Sequence, residues 1–175
     1  KFTDLFPNVE AFQHTTNQSD IFEYHSEPIN AKNVPENLKG LRTMFLSFHH
    51  FQPKNAKMIL QNAINSNQPI AVLEIQDRSL PSIVAMLLSP VSVLFTTPFI
   101  RPFRWSRLFF TYLIPIVPFV VLWDGIVSAL RTYTVEEMRN LINSLENNTA
   151  FEWNFNKKKS KTGFVIYTIG IPKKQ

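Results

Sequence analysis

The stretch Pro69-Ile70-Ala71-Val72-Leu73-Glu74-Ile75 is an almost unbroken apolar run, bounded by Gln68 and Asp77. A continuous apolar strand is typical of a parallel sheet covered on both faces, because neither face of such a strand meets water. We therefore predict a buried strand over residues 69–75, and this strand favours an α/β fold class for the sequence around it.

Strands and helices are predicted to alternate upstream of this run. The predicted strands cover residues 1–5, either 21–24 or 28–31, and 41–47. Through Pro53–Asn65 the apolar residues recur at three- and four-residue spacing, which predicts an amphipathic helix with Pro53 in its first turn. The alternation predicts a mostly parallel sheet with helices on both faces.

The C-terminal part carries a helix signal followed by a hairpin signal. Thr134 and Glu137 form the pattern of a capping box at the start of a helix. Residues 151–155 and 164–171 predict an antiparallel β-hairpin at the edge of the sheet. The turn between its strands is predicted to hold Lys157, Lys158, Lys159 and Lys161.

Composition excludes several classes of protein. A length of 175 residues with 45% hydrophobic and 18% charged residues predicts one folded domain. The absence of cysteine excludes disulfides, thiolate metal sites and cysteine nucleophiles, and it fits a reducing, cytoplasmic compartment. The net charge is +5, but the basic residues are not interleaved with aromatic ones along a face, so no nucleic-acid partner is expected.

Motifs for metal binding and for phosphate binding are absent from the sequence. The four glycines are too dispersed to form a phosphate-cradling loop. His49 and His50 are adjacent, and in an extended segment they would point to opposite sides, so we expect no metal site.

An apolar segment interrupts the α/β pattern between residues 78 and 132. No charged residue occurs in 79–100 or in 108–123, and a connector with Arg101, Arg104, Arg107 and Trp105 separates the two runs. Prolines break both runs, which disfavours two regular membrane-spanning helices. Three interpretations stay open for this insertion: a buried core or lid, a membrane surface contact through 79–123, and a true span.

Polar residues follow several of the predicted strands. Ligands of open α/β sheets bind outside the carboxyl ends of the strands. Asp4, Asn30 and Ser47 are all expected at that edge.

Four motifs in this order resemble strands two to five of class I S-adenosylmethionine-dependent methyltransferases. The segment 123–134 is similar to a subgroup of that family in which an apolar segment precedes it. The four motifs are Thr3-Asp4-Leu5-Phe6-Pro7-Asn8, Asn30-Ala31-Lys32-Asn33-Val34-Pro35, Phe45-Leu46-Ser47-Phe48-His49-His50-Phe51 and Ile70-Ala71-Val72-Leu73-Glu74.

The resemblance implies a Rossmann-like sheet that lacks its first strand. The glycine-rich first strand and loop of the family have no counterpart here, and in the family this strand lies between strands two and four. Residues 1–175 would then form one partial domain, which opens at Lys1 as if inside an element. We expect the missing strand to come from an N-terminal segment or a partner chain, and we expect this chain alone to be inactive.

The resemblance also implies roles for individual residues, with S-adenosylmethionine as the cofactor. Asp4 would accept hydrogen bonds from the ribose hydroxyls, and Leu5 would pack on the adenine. Asn30 and Ala31 would lie near the adenine amino group, and Ser47 would border the methionine moiety. For Asp4, a turn-forming carboxylate before Pro7 is the alternative.

Residues that could meet the methyl acceptor lie near the apolar insertion. Trp123, Asp124, Arg131 and Tyr133 lie at or just after its C-terminal end and are candidates for the acceptor pocket. An ion pair between Asp124 and Arg131 is the alternative for those two. His49 and His50 are weak candidates for a general base, and the alternative is a pair at a helix entry that carries no chemistry.

Methyl transfer to a small, hydrophobic acceptor is therefore the expected activity of the intact parent protein, in the cytoplasm and peripheral to a membrane. The alternative is a non-catalytic, membrane-associated module built on a methyltransferase-like scaffold.

Overall fold

A computed structural model describes residues 1–160 and 163–174 of the chain. This part of the chain forms seven α-helices and four strands. In chain order they are α1 (Val9–Thr16), β1 (Arg42–Phe45), α2 (Pro53–Asn65), β2 (Ile70–Glu74), α3 (Leu80–Leu87), α4 (Ser89–Thr96), α5 (Trp105–Leu108), α6 (Ile116–Arg131), α7 (Val135–Asn143), β3 (Phe151–Ser160) and β4 (Gly163–Pro172).

The four strands form one mixed sheet in the order β1-β2-β4-β3. β1 and β2 are parallel, with Arg42 opposite Ile70 and Phe45 opposite Leu73. β4 is antiparallel to both of its neighbours, β2 and β3. The predicted α/β class and the C-terminal hairpin are thus confirmed, and β4 is the one reversed strand of this sheet.

The hydrophobic core lies between one face of the sheet and the helices α2 and α7. Leu60 of α2, Val72 of β2 and Ile142 of α7 belong to one buried cluster, together with Phe48. At β1 the other face is open, since Thr43 is exposed and Phe45 is 64% exposed. The prediction of helices on both faces is therefore wrong at β1, where no described helix covers the second face.

Side-chain hydrogen bonds clamp β1 to α2. The guanidinium of Arg42 donates to Oδ1 of Asn62 and to Oγ of Ser66, both at 2.7 Å. Partial burial lowers the pKa of Arg42. Asn62 also accepts from the backbone N–H of Val34 at 3.2 Å, so one amide ties β1 and the preceding loop to the same helix.

The predicted strands at 1–5 and 21–24 reduce to a single parallel bridge between Phe2 and Tyr24, outside the sheet. Residues 28–31 form no strand. An aromatic cluster holds the bridge, with the ring of Phe2 5.7 Å from Phe12 and 5.5 Å from Phe22. An isolated pair of strands is only marginally stable, and the described residues supply no third strand beside this pair.

The lysine run was predicted to lie in the hairpin turn, and this is wrong for Lys157, Lys158 and Lys159. These residues belong to β3, at the edge of the sheet. Lysine is common on edge strands because its charge opposes pairing with further strands. Lys161 lies outside the described residues.

The apolar insertion folds into α3, α4, α5 and α6, and its prolines lie both inside these helices and in the turns that precede α5 and α6. Among residues 1–160 and 163–174 no single helix is long and apolar enough to cross a membrane. Two bent pairs have sufficient length and composition: Leu80–Leu87 with Ser89–Phe99, bent by 40°, and Trp105–Leu113 with Ile116–Arg131, bent by 79°.

Candidate functional site

A cavity of about 580 Å³ lies at the carboxyl ends of β1 and β2. The helical turn Phe48–His50, which follows β1, forms one side of it, and Arg78, which follows β2, forms another. The end of α6 and the exposed face of α7 complete the wall. This is the edge of the sheet at which α/β proteins bind ligands.

A buried His–Glu pair lies beside the cavity. Nδ1 of His49 is 2.9 Å from Oε2 of Glu74, and each residue is 4% exposed. Oε1 of Glu74 accepts from the backbone N–H groups of Phe48 at 2.8 Å and of His49 at 3.2 Å. The carboxylate is thus bonded through both oxygens, as a buried charge requires.

The hydrogen bonds of the pair determine the tautomer of His49. An ionised carboxylate can only accept hydrogen bonds, so the proton of the neutral ring is on Nδ1 and Nε2 keeps its lone pair. His49 lines the cavity, and no hydrogen bond joins Nε2 to residues 1–160 or 163–174. This arrangement can take up a proton from a molecule in the cavity, with Glu74 stabilising the resulting imidazolium.

His49 and His50 lie side by side, with ring centroids 4.2 Å apart. The prediction that they point to opposite sides is wrong, because they belong to a helical turn instead of an extended strand. Leu46, at the end of β1, has φ 50°, and this left-handed residue turns the chain away from the sheet. His50 is exposed and lines the same cavity.

Tyr133 and Glu137 line the same cavity as His49. The hydroxyl of Tyr133 donates to the carbonyl of Phe51 at 2.7 Å. Burial raises the pKa of Tyr133, and the negative charge of Glu137 raises it further. Partial burial acts to raise the pKa of Glu137, but the Thr134 backbone N–H and Arg78 outweigh it and leave that pKa lowered.

Two arginines give the cavity its positive charge. Arg78 forms an ion pair with Glu137 at 2.9 Å. Arg131 is exposed at the end of α6 and has no ion pair within the described residues. The alternative of an ion pair between Asp124 and Arg131 is therefore wrong. Seven residues along one helix separate the two by about 10 Å.

The four predicted acceptor residues divide between two cavities. Arg131 and Tyr133 line the strand-end cavity with His49 and His50. Trp123 and Asp124 line an apolar cavity of about 780 Å³ on the outer side of the insertion.

The residues predicted to bind the cofactor cluster only in part. Asp4 and Asn30 approach each other, since the carbonyl of Asp4 accepts from the N–H of Ile29 at 2.8 Å. Leu5 is exposed beside Asp4, and Ala31 packs against the core beside Asn30. Ser47 precedes the turn that carries His49. None of the five lines the strand-end cavity.

Asp4 and Asn30 each use one side-chain oxygen in a local turn and keep a second polar atom free of hydrogen bonds within the described residues. Oδ1 of Asp4 accepts from the N–H of Phe6 at 2.8 Å, so the turn-forming role is present, and Oδ2 is left for a hydroxyl donor. Oδ1 of Asn30 accepts from the N–H of Lys32 at 3.0 Å, and its amide nitrogen is left as a donor. The described residues contain no glycine-rich loop for the methionine half.

Sequence reasoning missed Glu74, Arg78 and Glu137 as site residues. The signal for Glu74 was an acidic residue at the end of an otherwise apolar strand, a position that burial makes costly unless a partner is present. Within the described part of the chain, no group of three or more histidine or acidic residues could hold a metal ion.

Comparisons of this chain with family models, with curated proteins and with solved structures found no match.

Proposed function

We propose that this chain is the C-terminal portion of a class I methyltransferase-like domain that transfers a methyl group from S-adenosylmethionine to a small, hydrophobic acceptor. The observation that carries the proposal is the arrangement of the strands. β1 and β2 are parallel neighbours, while Phe2 and Tyr24 form a separate parallel bridge outside the sheet. If β1 and β2 are strands four and five of the family, and the segments of Phe2 and Tyr24 are strands two and three, the pairs fit the doubly wound order 3-2-1-4-5 with strand one absent.

The free edge of β1 supports this assignment. The N–H groups of Arg42 and Leu46 donate toward β2, at 2.8 and 3.0 Å from the carbonyls of Pro69 and Leu73. Alternate residues of a strand point their backbone groups to opposite sides, so Thr43 and Phe45 direct theirs to the free edge. We propose that a parallel strand pairs here, contributed by an N-terminal segment or by a partner chain, because an unpaired edge is costly.

The cofactor would be held at its ribose by Asp4 and near its adenine by Leu5, Asn30 and Ala31, with Ser47 toward the methionine moiety. When bound, it supplies an electrophilic methyl group. The part of this chain is to hold and orient the acceptor, since alignment provides much of the acceleration of such a transfer.

His49 is the proposed general base for an acceptor with an O–H or N–H group. Nε2 would take the proton that this O–H or N–H group gives up, so that the acceptor atom can receive the methyl group. Glu74 holds Nδ1–H and stabilises the imidazolium, an orientation typical of base–carboxylate pairs. Tyr133 and Arg131 line the same cavity and would contact the acceptor.

Calorimetric titration of S-adenosylhomocysteine tests the proposal. A chain extended upstream of Lys1 by a strand that can pair with β1 is expected to show saturable binding, and residues 1–175 alone little or none. Asp4→Ala is expected to abolish the binding, whereas Asp20→Ala, which removes another exposed carboxylate, is the matched control.

Absence of binding to the longer chain would overturn the methyltransferase proposal. The same result would favour the non-catalytic, membrane-associated module in its place.

A further inference from the structure

The apolar insertion exposes most of the large hydrophobic side chains on the protein surface. About two thirds of the large apolar residues that are exposed lie between Leu80 and Leu130, in less than a third of the chain. Phe95, Phe99 and Trp105 are 75%, 81% and 77% exposed. Large apolar side chains that are exposed at this density mark an interaction surface.

The charges of the insertion indicate which partner it fits. From Ser79 to Trp123 there is no acidic residue, and the three charged residues are all arginines. The guanidinium of Arg107 donates to the carbonyls of Ile100 and Pro102, at 2.9 and 3.3 Å, and so holds the connector together. Arg101 and Arg104 are exposed and have no ion pair within residues 1–160 and 163–174.

We propose that residues 79–123, the apolar part of the insertion, dock in the plane of a membrane that contains anionic lipids. Arg101 and Arg104 lie at the level of the phosphate headgroups, and the exposed phenylalanines enter the acyl region. An apolar face combined with unpaired cations complements a surface of this kind. Trp105, which follows Arg104 and begins α5, has the amphipathic ring that prefers the interface.

The lengths of the helices place the insertion in one leaflet. α3 and α4 have 8 residues each and α6 has 16. At 1.5 Å per residue they extend about 12 and 24 Å, less than the roughly 30 Å of a hydrocarbon core. The bends of 40° and 79° within the two helix pairs favour a position in one leaflet over a straight span.

The docked orientation also defines the class of acceptor, a step that rests on the proposed methyl transfer. α6 begins in the insertion and ends at Arg131, which lines the strand-end cavity. Trp123 and Arg131 are about 12 Å apart along this helix. An acceptor that partitions into the leaflet, an amphiphile with an apolar body and an ionisable O–H or N–H head, therefore meets His49 at the membrane surface.

Vesicle binding by the full chain, without cofactor, tests the docking. The probes are phosphatidylcholine vesicles with and without phosphatidylglycerol, measured by co-sedimentation and by tryptophan fluorescence. Trp105 and Trp123 are exposed and Trp153 is half-buried, so a blue shift on binding reports mainly on the insertion. We expect binding to strengthen with phosphatidylglycerol.

Two variants and one control locate the contact. Arg101→Glu with Arg104→Glu is expected to weaken binding to anionic vesicles by roughly tenfold or more, because each arginine near the surface adds electrostatic attraction to the anionic lipids. Phe95→Ser with Phe99→Ser is expected to abolish the blue shift, and because both side chains are exposed the fold stays intact. Lys173→Glu with Lys174→Glu, the same charge change just beyond β4, is expected to have little effect.

Each contrary outcome overturns the docking proposal. The first is that neither kind of vesicle binds the protein. The second is that the lysine control loses as much affinity for anionic vesicles as Arg101→Glu with Arg104→Glu. The third is concentration-dependent self-association in light scattering that Phe95→Ser with Phe99→Ser relieves. The last would mean that a second copy covers the surface. Because no cofactor is present, a failure here is separate from a failure of the S-adenosylhomocysteine titration.

Discussion

Nδ1 of His49 donates to Oε2 of Glu74 at 2.9 Å, and the other oxygen of Glu74 accepts from the backbone N–H that begins the same turn. One carboxylate at the end of β2 therefore fixes both the backbone that follows β1 and the ring that this backbone carries. The pair joins the two parallel strands at the edge where the cavity opens. Glu74 thus both fixes the turn and polarises the ring of His49.

Glu74→Gln should change the tautomer of His49. The amide can still accept from the backbone N–H groups through its oxygen, but its NH₂ group then faces Nδ1, which favours the tautomer protonated at Nε2. Nitrogen chemical shifts of the imidazole measure the tautomer directly. We also expect a loss of about 1 kcal/mol in the free energy of unfolding, since the same hydrogen bonds are weaker without the charge of the carboxylate.

His50→Gln is the control for this experiment, because His50 lies beside His49 but is exposed and does not contact Glu74. It should leave the His49 shifts nearly unchanged. If Glu74→Gln also leaves them unchanged, the pair does not determine the tautomer and His49 loses its proposed role as a base.

Acid should destabilise the protein through Asp77. Burial acts to raise the pKa of this carboxyl, but Lys157 and Ser79 outweigh it and leave the pKa lowered. A carboxyl with a lowered pKa in the folded state contributes stability that is complete above the pKa of the unfolded chain. That stability is lost as the pH falls through the folded pKa.

Thermal unfolding as a function of pH measures this contribution. Asp77→Asn should be less stable than the parent at neutral pH, and its stability should fall less on acidification. The ion pair with Lys157 also anchors the start of the insertion to β3, so Lys157→Gln should reproduce part of the effect. Identical acid profiles for Asp77→Asn and the parent would contradict the assignment.

Elements with strong local patterns were predicted well from the sequence. The run 69–75 forms β2, the periodic segment forms α2 with the predicted bounds Pro53–Asn65, and the Thr134–Glu137 capping box is present. In each case the local preference and the tertiary burial agree, so the residues alone carry the signal.

Features that depend on distant parts of the chain could not be predicted. The strand at 41–47 ends early at Phe45 because Leu46 adopts a left-handed conformation that leucine rarely takes. The position of Glu74 against His49 depends on the register of β1 and β2, and no local sequence pattern predicts that register. The segments near Phe2 and Tyr24 pair with each other through one bridge, and no further described strand lies beside them to extend it.

Gly170→Ala should destabilise the hairpin. A Cβ at Gly170 would lie far inside van der Waals contact of the Trp153 ring, which is itself held by a bond from Nε1 to the carbonyl of Asn148. We expect a loss of about 1–3 kcal/mol in the free energy of unfolding, the usual cost of overpacking. Gly125→Ala is the contrast, since its Cβ would meet the flexible Met86 side chain. A cost for Gly125→Ala that matches or exceeds the cost for Gly170→Ala would contradict this prediction.

Glu137 serves both the helix cap and the cavity wall, and a series of variants can separate the two roles. Oε2 of Glu137 accepts from the N–H of Thr134 at 2.9 Å, while Oε1 pairs with Arg78 at the same distance. Arg78→Ala removes only a largely exposed ion pair and should cost about 0–1 kcal/mol in the free energy of unfolding. Thr134→Ala removes the cap and should cost about 1 kcal/mol. Glu137→Ala loses both interactions and should cost the most in chemical denaturation. If Arg78→Ala costs as much as Glu137→Ala, the ion pair and not the cap holds α7 against the strand-end cavity.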